Sequence, residues 1–253
     1  MRTSRLAGVG IAAVLTVAGC TANGTGGASP SASAGAGPSG TASSSADPAA
    51  VKALTDAADK LDDTTVKLTV TSGSGFQLTA LTDAPHGTGT ADLVAQSANA
   101  KLTVKSLLVG EDLYAQIPGI TTADKWTHLD MARLPEDASV GLRPGQIDPV
   151  NTAKLLSSAT DVHQSGEAEY AGTLDLSDAA GVAGLGQVTI DGSSVPFSAA
   201  LDNEGRLEIL TIQQEQPVVA KYSGYGTPVT VTAPAASEVV EAPDSVYQAL
   251  GGR

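Results

Sequence analysis

The side chains able to do covalent or acid–base chemistry in this 253-residue chain are few and far apart. It holds one cysteine, Cys20, and three histidines, His86, His128 and His163. One cysteine excludes a disulfide within the chain. No histidine falls in an H-E-x-x-H or i, i+4 pair, so no zinc site is spelled out and each reads as a surface or strand residue. "TSGSGF" from residue 71 lacks the G-x-S-x-G spacing and the strand-to-helix context of a nucleophile elbow, and reads as a hairpin loop. Asp59, Asp62 and Asp63 cluster at the end of a helical stretch, where a solvated acidic face accounts for them. Asp202 and Glu204 belong to the turn "DNEG", which lacks the rest of a calcium loop. "GTGGAS" lies in a small-residue linker, and "GVAGLG" lacks the Lys-Ser/Thr of a phosphate-binding loop. The pattern predicts no catalytic residue, no metal and no cofactor, hence no enzyme. A hydrolase would need a Ser or Asp that the fold brings beside a base.

The cysteine closes "MRTSRLAGVGIAAVLTVAGC". Arg2 and Arg5 precede an uncharged run over residues 6–18, and small residues stand at its end, which is the pattern of a secretory signal. The run is shorter than the roughly 20 apolar residues of a membrane-spanning helix. Val17, Ala18, Gly19 and Cys20 resemble the bacterial lipobox, which implies cleavage before Cys20 and a lipid on its thiol; a plain signal with an incidental cysteine is the other reading. The expected division is a signal over 1–19, a lipidated tether over 20–46 and a folded body over 47–253.

The tether is almost wholly Gly, Ala, Ser, Thr and Pro, and cannot bury enough surface to offset its ordering entropy. At about 26 residues its typical reach is roughly 25–30 Å. Losing Arg2 and Arg5 with the signal removes two positive charges and takes the formal charge from −13 to −15. An acidic body excludes nucleic acid as a partner and disfavours electrostatic docking on anionic lipid. The expected location is therefore extracytoplasmic, on the outer face of the cell membrane, with contact through lipid on Cys20.

In the body, Asp47 and Pro48 make a helix start, and Val51, Leu54, Ala58 and Leu61 fall on one stripe at helical spacing. Alternating stretches follow: "TTVKLTVTS", "FQLTALTD", "ADLVAQS", "AKLTVKSLLVG", "DLYAQIPG" and "KWTHLDMARL", with a hairpin turn at Gly110, Glu111 and Asp112. "DPVNTAKLLSSA" predicts a second helix opening at Asp148 and Pro149. Strands resume in "ATDVHQSGEAEYAGTLDLS" and in "SVPFSAALDNEGRLEILTIQ", with Gly205 closing a turn. "PVVAKYSGYGTPVTVTAP" predicts two last strands, and "APDSVYQAL" a short closing helix. Each strand is apolar on one side and carries Thr, Lys or Gln on the other, so the sequence predicts an α+β body: one large curved antiparallel sheet whose few helices cover its concave face. Aromatic residues are 3% of the chain, so aliphatic side chains must fill the interior. A half-closed aliphatic sheet can leave a cavity for an acyl chain, or the same residues can pack shut.

Several segments in order resemble the LppX/LprAFG family of actinobacterial lipoproteins, whose fold is similar to the LolA and LolB carriers. They are the lipobox at Cys20, the helix from Pro48, "GEDLYAQIPG" with "KWTHLD", "DPVNTAKLL", "VPFSAALDNEGRLEILTI" and "YSGYGTPVTVTAP". The resemblance implies a U-shaped antiparallel half-barrel with helices on its concave side. It also implies a cavity that carries an acylated lipid or glycolipid outward from the membrane, with a membrane transporter as a possible partner. The expected cavity wall is Leu68, Val70, Leu78, Leu102, Val104, Leu113, Phe197 and Leu207. Trp126 matches a recurrent aromatic of the family and either joins that wall or packs the sheet. The rival reading is a cell-surface scaffold or regulatory interaction protein on the same fold. The long tether and the scarcity of Phe depart from the family pattern.

Overall fold

The structure is a computed structural model, and it describes residues 46–97, 100–135, 138, 141–176 and 194–251. The signal segment, Cys20, the tether up to residue 45 and "GVAGLG" lie outside the described residues. Helix α1 spans Pro48–Asp59, and six strands follow: β1 Thr65–Ser72, β2 Phe76–Asp83, β3 Thr88–Gln96, β4 Lys101–Val109, β5 Asp112–Gln116 and β6 Trp126–Leu129. Helix α2, Thr152–Ser157, opens a second block of β7 Ala159–Gly166, β8 Glu169–Asp175, β9 Ser194–Leu201, β10 Leu207–Ile212 and β11 Val218–Ser223. Strand β12, Val239–Glu241, and helix α3, Asp244–Ala249, close the chain.

Each block is a helix followed by an antiparallel meander. The two meanders join through β11 beside β1, giving one open twelve-stranded sheet in the order β12, β6, β5, β4, β3, β2, β1, β11, β10, β9, β8, β7. The sheet is open, as expected of a half-barrel, with β12 and β7 at its edges among the described strands. One pair departs from the antiparallel expectation: β12 runs parallel to β6. Tight turns set the register, since Gly110 (φ 64°) and Gly205 (φ 66°) take the left-handed backbone that L side chains resist.

Helix α1 begins as its sequence dictates, with the Asp47 carboxylate accepting the Ala49 N–H at 2.9 Å and Pro48 in the first turn. Its buried side is Ala50, Leu54, Ala57 and Ala58, while Val51 is 38% exposed and leaves the expected stripe. Three alanines on the contact side let the helix lie close on its neighbours, α2, β7 and β10. The second helix starts three residues later than expected. The Asp148 carboxylate accepts the N–H groups of Val150 and Thr152, the Asn151 N–H returns to the Asp148 carbonyl, and Asn151 itself stands at φ 53°. Asp148 and Pro149 therefore build a turn, and the helix begins after it.

Two strand expectations also shorten. The "KWTHLDMARL" strand stops at Leu129, because the Asp130 carboxylate caps a 3-10 turn over Met131–Arg133. The second of the two last strands, in residues 228–234, is absent from the sheet; the pairing is made instead by β12.

Gly172 of β8 faces Phe197 so closely that an added Cβ would lie 2.8 Å from the Phe197 ring and 2.8 Å from the Thr160 carbonyl oxygen. Backbone cannot yield as a side chain does. Gly172→Ala is expected to destabilise the protein by about 1–3 kcal/mol, read as a lower denaturant midpoint at unchanged slope.

Candidate functional site: the inner face of the sheet

Strand side chains alternate, so residues of one parity share a face and cross-strand partners stand on the same side. The registers align the buried parity of successive strands into rows. One row holds Ala220, Val70, Leu78, Leu93 and Val104, and it continues on the other side through Leu210, Ala199 and Tyr170. The next row holds Gly172, Phe197, Ile212, Val218, Ser72, Phe76, Ala95 and Leu102. Toward the other strand ends, Tyr222, Leu68, Ala80, Ala91, Ser106, Ala115 and Thr127 form a row of mostly small residues. Val66, Thr82, Gly89, Leu108, Leu113 and Leu129 form a fourth.

Eight of the nine expected wall residues meet on this face. Leu68, Val70, Leu78, Leu113, Phe197 and Leu207 are fully or almost fully buried in it. Leu102 and Val104 are half-buried, as are Leu93 and Ala95 beside them, so the apolar face runs out toward solvent at that end of β3 and β4. Trp126 stands on the opposite face: Thr127 and Leu129, its neighbours in alternation, pair with Ala115 and Leu113 of the inner face. Among the candidates, the tryptophan therefore falls outside the wall and packs the outer side of β6.

The cover of the inner face comes from α1, α2 and the irregular chain around residue 147. A void of about 10 Å³ lies under this cover, lined by Leu61, Val66, Leu68, Thr82, Ile147, Asp148, Pro149 and Tyr222. That volume admits about one water molecule and no hydrocarbon chain. Its polar side is a buried network. The hydroxyls of Tyr222 and Thr152, both buried, lie 2.7 Å apart. Burial, then the Asp148 carboxylate, holds the Tyr222 phenol well above its usual value, so it stays protonated. Outside this network, the exposed Asp62 has its carboxyl raised above 3.8, first by partial desolvation and then by the like charges of Asp148, Asp59 and Asp63, which solvent screens in part. In the small-residue row the Thr127 hydroxyl is fully buried and has no hydrogen-bond partner.

Alternation puts Ala80 beside Leu78 and Thr127 beside Leu129, but Ala91, Ala115 and Ser106 are left out, because small and hydroxyl residues carry no apolar signal. The hairpin registers would have found them. Ile147 and Asp148 carry no local signal, since they reach the face only through tertiary packing.

The histidines are spoken for by other groups. The His86 ring lies 2.7 Å from the Asp83 carboxylate, that of His163 lies 2.8 Å from the Asp161 carbonyl, and His128 lies between Asp112 and Glu241. Among the described residues no three His, Cys, Asp or Glu side chains are grouped to hold a metal ion.

No protein-family model and no curated protein matches the chain. Solved structures do. LprF from Mycobacterium bovis is similar over 76% of this chain and 99% of its own, at 19% identity and a TM-score of 0.49. The Mycobacterium tuberculosis lipoprotein LppX is similar over 74% of this chain and 100% of its own, at 17% identity and a TM-score of 0.47.

The raised Asp62 carboxyl carries a pH signature. The folded state holds this proton more tightly than the unfolded chain, so stability declines as pH rises from 3.8 through the folded value and stays reduced above it. Asp62→Asn should raise the melting temperature at neutral pH, with the gain vanishing in acid where the carboxyl is already protonated; melting scans of both proteins across pH check this.

Proposed function

We propose that this chain is an extracytoplasmic lipoprotein, cut before Cys20 and held on the outer face of the cell membrane by acyl chains on that thiol. Its folded body takes an acylated lipid or glycolipid against the inner face of its sheet and carries it outside the membrane. The observation that supports this reading is the continuity of the aliphatic rows. They cross eight strands and pass from fully buried Val70 and Leu78 to half-buried Leu93, Leu102 and Val104.

The mechanism is transfer by burial. An acyl chain leaves a bilayer only where apolar walls replace the contacts it loses, at about 0.8 kcal/mol per methylene. The half-buried end of β3 and β4 is the first such wall a chain would meet. Around Leu68 and Tyr222 the space is that of about one water, so entry of a chain there requires Leu61 and the segment around Ile147 to move away from β1. Inside, the unpartnered Thr127 hydroxyl offers one polar contact to a guest's ester or hydroxyl group.

The tight packing around Leu68 and Tyr222, where the space is that of about one water, favours a second reading, a cell-surface scaffold or regulatory interaction protein on the same fold. Of the large apolar side chains described, Val51 and Leu81 are the exposed ones, which gives that reading little apolar docking surface.

The full chain purified from membranes in mild detergent separates the two. Native mass spectrometry and organic extraction should recover a non-covalent acylated lipid, distinct from the covalent acyl chains on Cys20. Its occupancy should fall when Leu93→Glu or Val104→Glu puts a charge on the wall. Repeated recovery of covalent acyl chains alone supports the scaffold instead. Cys20→Ala should lose the covalent acyl mass and move the protein from the membrane to the soluble fraction.

A further inference from the structure

On the outer face, His128 sits between two carboxylates on different strands. Its Nδ1 lies 3.0 Å from Glu241 of β12, and its Nε2 lies 3.0 Å from Asp112 of β5. A carboxylate oxygen at this distance accepts and does not donate, whereas a neutral imidazole has only one N–H. The arrangement is complete only with the doubly protonated ring. The titratable groups facing the ring are Asp112 and Tyr114 from β5 and Glu241 from β12, with the Tyr114 ring 5.2 Å away, centre to centre. The His128 side chain is 26% exposed, so solvent screens these contacts only in part.

What the ring holds is a short element. Strand β12 is three residues long and pairs with β6 at the edge of the sheet, in the one parallel pairing among the described strands. Beyond it the Ala242 N–H donates to the His128 carbonyl at 3.0 Å. The segments on either side are fastened elsewhere: the Lys125 ammonium donates to the Ser237 carbonyl, and Arg133 pairs with Asp244 of α3. Between these two points β12 is held by its few ladder bonds, the Ala242 N–H bond, the burial of Ala242 and the imidazolium.

We propose that His128 is a pH-dependent clasp for β12: protonated, it ties β12 and β5 to β6; neutral, it releases one carboxylate and loosens β12 from the sheet edge. Loosening leaves backbone N–H and C=O groups of β6 unpaired, the condition in which an edge strand can accept a new partner. The clasp is closed in acid and opens as pH rises. Burial lowers the ring's affinity for its proton, but hydrogen bonds and charge from Glu241 and Asp112 outweigh it and raise the pKa above 6.5. A histidine raised in the fold contributes its stability fully below its unfolded value and loses it as pH passes through the folded one.

Residue-resolved amide exchange on the full chain, alongside the ring's titration by NMR, tests this. Protection at residues 239–242, corrected for intrinsic exchange, should fall roughly three- to tenfold between about pH 5.5 and pH 8.5, the scale of a partly exposed ion pair around the histidine range. The fall should track the His128 titration while β1 and β2 stay flat. In His128→Gln the protection should be low and level with pH. Glu241→Gln, at a position 80% exposed and so a mild change for folding, should move the midpoint to lower pH and shrink the fall. Protection that stays level through the ring's titration, a pH dependence that survives in His128→Gln, or a midpoint and amplitude unmoved by Glu241→Gln would each overturn the clasp.

Discussion

The structure depends on one constraint: every strand must present its apolar parity to the same side. Side chains alternate with a period of two, so a slip of one residue in any pairing would turn that strand's leucines and valines to solvent. The registers avoid this from β8 to β6. Val70 meets Leu78, Leu78 meets Leu93, and Leu93 meets Val104, all on one face. The turns that fix those registers are thus as consequential as the side chains themselves. A sheet this wide with one apolar face needs a cover, and among the described residues it comes from α1, α2 and the irregular chain around residue 147.

The contact between cover and sheet is polar at one point. Asp148 turns the chain into α2, Thr152 at the start of that helix meets Tyr222 of β11, and Asp62 lies near enough for its carboxyl to be raised. The same aspartate therefore shapes a helix start and sets the charge beside the void.

Much of this was legible in the sequence. The start of α1, the hairpin turns at Gly110 and Gly205, and the alternation of most strands rest on local rules of capping, turn chemistry and period, and they appear where those rules put them. What was not legible depended on contacts between distant segments. Val51 looked as apolar as Leu54, but the alanines around it decide which side of α1 faces inward. Residues 228–234 alternate like a strand yet do not join the sheet, while the three residues of β12 pair with β6. The inner face was legible in its large aliphatic members and in Ala80 and Thr127, which alternate with them, and obscure in Ala91, Ala115 and Ser106, whose place is fixed by their cross-strand partners. Trp126 drew attention as the lone tryptophan, and parity puts it outside.

The account rests on the inner face being the place where a hydrocarbon chain is received. The most direct test adds a spin-labelled fatty acid to the isotope-labelled full chain and follows methyl resonances. Broadening at Leu78, Leu93, Leu102 and Val104, with Leu81 and Val51 unaffected, is the predicted result. Inner-face methyls left sharp, or broadened no more than Leu81 on the outer face, would contradict it.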